Sequence, residues 1–146
     1  MALFNVFNIA GSGMSAESVR LNTVASNLAN ADSVSSSAAT AYKARYPVFQ
    51  ALQASLMSPG AAADPATQGA DAAVNVSGIV QSTAPGTARY EPGNPLADAN
   101  GYVYSSNVNV VEQMADMISA SRSYQNNVEV LETSKQLMLA TLKLGS

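Results

Sequence analysis

Residues 109–143 read NVVEQMADMISASRSYQNNVEVLETSKQLMLATLK, a proline-free and glycine-free run of thirty-five residues. Steps of four and three from Val110 land on Met114, Met117, Ser121, Tyr124, Val128, Leu131, Lys135, Met138 and Leu142. Eight of these ten positions are apolar if Tyr is counted. The frame beginning at Val111 gives only six of ten. The first frame is a heptad-like stripe, with Ile118 and Leu139 as its shoulders. Asn109 suits the N-cap, Glu112 the first turn, and Lys143 with Gly145 the end of the helix. At ~1.5 Å per residue a helix over 109–143 is about 52 Å long. A compact chain of this length has a diameter of roughly 38 Å. Such a helix does not fit inside a globule of that size, so the spacing predicts an elongated molecule.

The same period occurs at the other end of the chain. Phe4, Phe7, Gly11, Met14, Ser18, Leu21, Ala25 and Leu28 form a stripe in which large and small residues alternate. The small positions Gly11 and Ser18 are the expected points of close approach by a second helix. Gly11 and Gly13 cost about 1 kcal/mol each in a helix interior, so the first turns need packing to form. Two terminal helices with one apolar stripe each are natural partners, and an antiparallel hairpin is the simplest way to join them.

Between the helices the composition changes. All six prolines lie in residues 32–105. Residues 32–41 (DSVSSSAATA) and 57–73 (MSPGAAADPATQGADAA) read as loops, the second of low complexity. Tyr42 to Phe49 reads as extended, with Pro47 favouring an edge, and Gln50 to Met57 as a possible helical turn. Val74, Val76, Gly78 and Val80 alternate as in a strand with one buried face. Thr87–Tyr90 and Tyr102–Tyr104 flank EPGNPLADANG, in which Asn100-Gly101 is a strong turn signal. The expected fold class is therefore α+β: long N- and C-terminal helices packed as an antiparallel coiled coil around an inserted β-containing domain. Its three zones are residues 1–31, 32–106 and 107–146.

Composition narrows the function. The 146 residues carry a formal charge of −3, and only 12% are charged, about half the usual share for a soluble domain. In place of charge the chain has 26 Ala, 19 Ser and 12 Asn. Such a surface is weakly protected against self-association. There is no His and no Cys, which excludes thiol catalysis, imidazole base chemistry, disulfides and ordinary zinc sites. The acidic balance argues against nucleic-acid binding. No apolar run approaches a membrane span. The N-terminal stretch lacks the basic region of a signal peptide, and Asn5 and Asn8 interrupt its apolar run.

Candidate chemistry is thin. Aligned as a calcium loop on Gly101, the 96–107 segment puts Leu96 and Asn107 where acidic ligands belong, so Asp98 and Asn100 read as turn residues. GSGMS at 11–15 is neither a nucleophile elbow nor a phosphate loop. Glu129 and Glu132, one helical turn apart, read as a solvated or interface face rather than as a catalytic pair. No catalytic, cofactor or metal residue is expected, and the chain does not read as an enzyme. The polar interruptions Ser121 and Lys135 suit either exposed spots or register-setting positions. Met114, Met117 and Met138 suit either plain core or a surface that packs against several different neighbours.

ASNLANA at 25–31, YPVF at 46–49, YEPGNPLADANGYVY at 90–104 and NVNVVEQMADMISASRSYQNNVEVLETSKQLMLATLKLG at 107–145 resemble the flagellar basal-body rod proteins. The resemblance covers both ends and most of the middle. It departs at 35–43, where SSSAATAYK stands in place of the TPGYK frequent in the wider axial family. It implies a structural subunit of the proximal rod, the shaft that transmits motor torque. Such subunits polymerise helically with themselves and with other rod proteins, and meet base-of-rod adaptor and ring components. They reach the periplasmic basal body through the flagellar type III export apparatus without a cleaved signal, and their terminal helices order on assembly. The expected assembly interface is Phe4, Phe7, Met14, Leu21, Leu28, Val110, Met114, Met117, Ile118, Tyr124, Val128, Leu131, Met138 and Leu142. The competing reading is a soluble helical-hairpin adaptor in the cytoplasm, which fractionation would find in the cytosol rather than with basal bodies.

Overall fold

Asn109 starts the long C-terminal helix as its side chain suggests. Its Oδ1 accepts the backbone N–H groups of Val111 (3.1 Å) and Glu112 (3.4 Å), and its carbonyl accepts that of Gln113 (3.0 Å). The structure is a computed structural model that describes residues 2–53 and 72–144. Its order is α1 (Ala2–Ala29), β1 (Val34–Ser35), β2 (Arg45–Gln53), β3 (Ala72–Gln81), β4 (Ala88–Tyr90), β5 (Tyr102–Ser105) and α2 (Val110–Leu144). The class is α+β, with two terminal helices and two small antiparallel sheets. The thirty-five residues of α2 span about 52 Å without a break.

The helices lie against each other. Asn27 meets Gln113, Arg20 meets Asp116, and Gly13 meets Asn127, so the contacts run in opposite directions along the two helices. The close approach falls at Gly13, where an added Cβ would stand 2.9 Å from Asn127 Nδ2. It does not fall at the expected positions: Gly11 has open space around it and Ser18 is exposed. The contact line on α1 is one residue away from the sequence stripe.

β2 and β3 form a two-stranded ribbon along α1. Arg45 pairs with Gln81 at one end and Gln53 with Ala72 at the other. An irregularity between Val48 and Phe49 leaves Ser77 of β3 unmatched. Ser12 Oγ, which donates to the Ile9 carbonyl (2.8 Å), accepts the N–H of Val74 (3.1 Å) and ties the ribbon to the helix. The expected helical turn after Gln50 is absent as far as Gln53, because β3 continues to pair that segment as strand; positions 54–57 lie outside the described residues, as do positions 57–71 of the low-complexity stretch. The ribbon also lacks the buried face that its alternation suggested. Val48, Phe49, Val74, Ile79 and Val80 are all exposed.

The second sheet has the order β1-β5-β4. The segment 32–41, expected as loop, contributes the two-residue β1, with Val34 opposite Ser105. The predicted turn before β5 is present. Gly101 takes φ +81°, which suits glycine, and donates to the Asp98 carbonyl (3.0 Å). Asp98 Oδ1 accepts the N–H groups of Asn100 (2.8 Å) and Tyr102 (2.9 Å). These bonds hold the Asp98 carboxyl below its ordinary pKa, the one from Tyr102 contributing most.

Candidate assembly surface

Among the described residues the buried apolar side chains are Ala10, Ala16, Val24, Ala41, Ala44, Val103 and Ala120, so none of these is larger than Val. They share the interior with Thr23, Asn27, Ser106, Gln113 and Ser134. Large apolar side chains lie outside instead. A chain with this distribution has a small, polar interior and keeps its greasy groups for something else.

On α2 the inward positions recur every seven residues. Gln113 is 1% exposed, Ala120 is 0% exposed and Ser134 is buried, while Asn127 touches the Gly13 position of α1. Met117, Leu131 and Met138 fill the alternate places on that side and are half-buried. The expected frame therefore shares Met117, Leu131 and Met138 with that side, whereas its Tyr124 is exposed. At its other positions it stands one residue outside, at Met114 for Gln113, Ser121 for Ala120, Val128 for Asn127 and Lys135 for Ser134. On α1 the inward residues Gly13, Arg20 and Asn27 are likewise seven apart, one place from Met14, Leu21 and Leu28. Gly13 lets the backbones approach at Asn127, Ala120 and Ser134 are buried on the same line, and Arg20 and Asn27 bond across it to Asp116 and Gln113.

The named interface residues thus fall into two groups. Phe7, Met14, Leu21, Leu28, Val110, Met117, Val128, Leu131 and Met138 are half-buried along the flanks of the helix pair. Met114, Ile118 (56%), Tyr124 and Leu142 (65%) are exposed. The side chain of Phe4 lies outside the described residues. Outward-facing Val111 (76%), Val130, Leu137 and Leu139 extend the apolar surface beyond the sequence frame. Val130 and Leu137 are seven apart, which is the signal that would have found them.

The junction of the helices with the β region is held by one amide. Asn27 is fully buried. Its Nδ2 donates to the Arg45 carbonyl and to Gln113 Oε1, both at 2.8 Å. Its Oδ1 accepts the Arg45 N–H (2.9 Å) and the Tyr42 hydroxyl (3.0 Å). All four hydrogen-bonding positions of the amide are used. Nearby, Arg20 donates to Asp116 Oδ1 at 2.8 Å across the helix pair. Tyr46 and Asp116 line one hollow, so the start of β2 lies beside the first turns of α2; partial burial, then the Glu112 and Asp116 carboxylates, push the Tyr46 phenol above its usual pKa.

Among the described residues no group of three acidic side chains could hold a metal ion, and no helix is long and apolar enough to cross a membrane.

Comparison with known proteins gives this surface its context. The family described as flagellar basal body rod FlgEFG protein C-terminal matches residues 99–144, and that described as flagella basal body rod protein matches residues 7–35. The chain is 52% identical over 145 residues to the flagellar basal-body rod protein FlgC of Salmonella typhimurium and 50% identical over 145 residues to that of Yersinia enterocolitica. It is 42% identical over 147 residues to the FlgC of Buchnera aphidicola subsp. Schizaphis graminum. In each comparison 99% of this chain and 99% of the relative are covered. The matched segments are those that build α1, the turn before β5, and α2, and on this evidence the chain belongs to the FlgC family of flagellar basal-body rod proteins.

Proposed function

We propose that this chain is a structural, non-catalytic subunit of the flagellar basal-body rod, and that it polymerises through its terminal helices in the proximal part of the torque-transmitting shaft. The single observation behind the helical interface is the inverted distribution of side chains: Ala, Ser, Asn and Gln inside with Val24 and Val103, and Ile118, Met114, Leu137, Leu139 and Val111 among the large apolar groups outside. A fully buried Val, Leu, Ile or Met side chain is worth roughly 1.5–3 kcal/mol. Val111, Met114, Ile118, Leu137, Leu139 and Leu142, each about half to three-quarters exposed, have on the order of 5 kcal/mol per copy still to gain from neighbours.

In this reading residues 1–31 and 107–146 are assembly segments that wind as an antiparallel coiled coil in the polymer. Residues 32–106 form the outer β-containing zone. The interface comprises Phe4, Phe7, Met14, Leu21, Leu28, Val110, Met114, Met117, Ile118, Tyr124, Val128, Leu131, Met138 and Leu142. Partners are further copies, other rod proteins, and adaptor and ring components at the base of the rod. The subunit passes through the flagellar type III export apparatus without a cleaved signal and acts in the periplasmic space.

Ile118→Glu tests the interface. The substitution places a charge on a side chain that is already in solvent, so the isolated subunit should fold with a stability change within about 0.5 kcal/mol. Strains relying on it should export the subunit but yield no rods and no swimming. Normal motility would refute the interface.

A further inference from the structure

Among the charges that enter no ion pair within the described residues are two groups of opposite sign. The ion pairs engage Arg20 with Glu17 and Asp116, and Arg89 with Glu91. Lys43 and Arg45 enter none of them, and neither do Glu129 and Glu132. Lys43 and Arg45 line a cavity of about 270 Å³ together with Thr40, Tyr42 and Gln81. The Arg45 guanidinium lies 5.6 Å from the centroid of the Tyr42 ring, which steadies it. Glu129 lines a separate hollow of about 370 Å³ on α2, beside Asn126 and Thr133.

The fold keeps the two groups apart. The Arg45 backbone bonds to Asn27, which also bonds Gln113, so the basic group is level with the first turn of α2. Glu129 lies sixteen residues beyond Gln113 on that helix. At ~1.5 Å per residue the separation along the axis is about 24 Å, roughly three Debye lengths at physiological salt. The groups do not meet within one subunit. Displacing a second copy in the same orientation by that distance along the helix axis brings the basic group of one copy level with the acidic group of the other.

We propose that Lys43 and Arg45 of one copy pair with Glu129 and Glu132 of a second copy, and that this contact sets the axial step between neighbouring subunits. The proposal rests on the rod-subunit reading above and adds a register to it. Apolar stripes attract without direction, and a seven-residue repeat tolerates slippage by one repeat. Charges at two fixed heights select a single offset. Because the patches differ, the contact is head-to-tail, and because each copy is displaced along the axis it cannot close into a ring, which is the geometry of an open helical polymer.

The test is charge reversal in cells lacking their own copy of the subunit. Restoration of swimming by the unaltered chain checks the rod-subunit reading by itself. Given that, Lys43→Glu with Arg45→Glu, and separately Glu129→Lys with Glu132→Lys, should each lower the yield of rod-bearing basal bodies at least tenfold. The four changes together should restore most of it. Restoration cannot come from repaired folding, because the two sites are about 24 Å apart within one chain. Unchanged yield with either pair, or no recovery when the pairs are combined, overturns the proposal while leaving the rod-subunit reading in place.

Discussion

Asn27 is the residue on which the junction depends, because one amide serves α1, Tyr42, the first residue of β2 and the first turn of α2. Replacing it with Leu removes four hydrogen bonds and strands the Gln113 amide oxygen and the Arg45 N–H in a dry interior. Each stranded group costs ~1–3 kcal/mol, so Asn27→Leu should destabilise the subunit by about 3 kcal/mol or more, read from urea unfolding. Asn27 lies in the ASNLANA motif that carried part of the family resemblance. Its place at a four-way junction was not legible there, because three of its partners are 15, 18 and 86 residues away. Asp98, by contrast, was legible as a turn residue, since all its partners are within six positions. Its carboxyl pKa is depressed in the folded chain relative to the ordinary value of ~3.9. The stability it adds is therefore complete above that ordinary value and is lost as pH falls through the lower folded value. Urea unfolding between pH 5 and pH 2 should show this loss in the native chain, and a smaller one in Asp98→Asn.

At the scale of elements, periodicity located both long helices and the Asn109 cap. It also pointed to a strand over 74–80 and to the turn at Gly101. It placed the contact between the helices one residue off, for a physical reason. Hydrophobic spacing marks where a helix is greasy, and in a free-standing domain the greasy side faces the interior. Here the inward line is Gln113, Ala120, Asn127 and Ser134 against Gly13, Arg20 and Asn27, chosen for size and pairing rather than hydropathy. Ala120→Leu should therefore cost ~1–3 kcal/mol through overpacking at a fully buried position. Ile118→Ala, two residues away and exposed, should stay within about 0.5 kcal/mol in the isolated subunit. Thermal unfolding of the two variants in parallel distinguishes this arrangement from a stripe-to-stripe hairpin, in which Ile118→Ala is the costlier change. The ribbon misled for a related reason. Its alternation suggested a buried face, yet Val48, Phe49, Val74, Ile79 and Val80 are exposed. The two-residue β1 escaped notice because its pairing with β5 owes nothing to local propensity.

For the whole molecule, the shortage of charge, the unbroken 52 Å helix and the apolar exterior have one explanation. In the reading proposed above, neighbours in the rod supply the burial that this apolar exterior lacks in the single subunit. Because the chain has no Cys, a single introduced thiol reports on one position without background. The decisive measurement is maleimide labelling of Ile118→Cys and Ala120→Cys in free subunit and in purified rods. Ile118→Cys should react readily when free and at least tenfold more slowly in the rod, while Ala120→Cys is protected in both. Equal labelling of Ile118→Cys in the two states would contradict the claim that this apolar surface is what the rod buries.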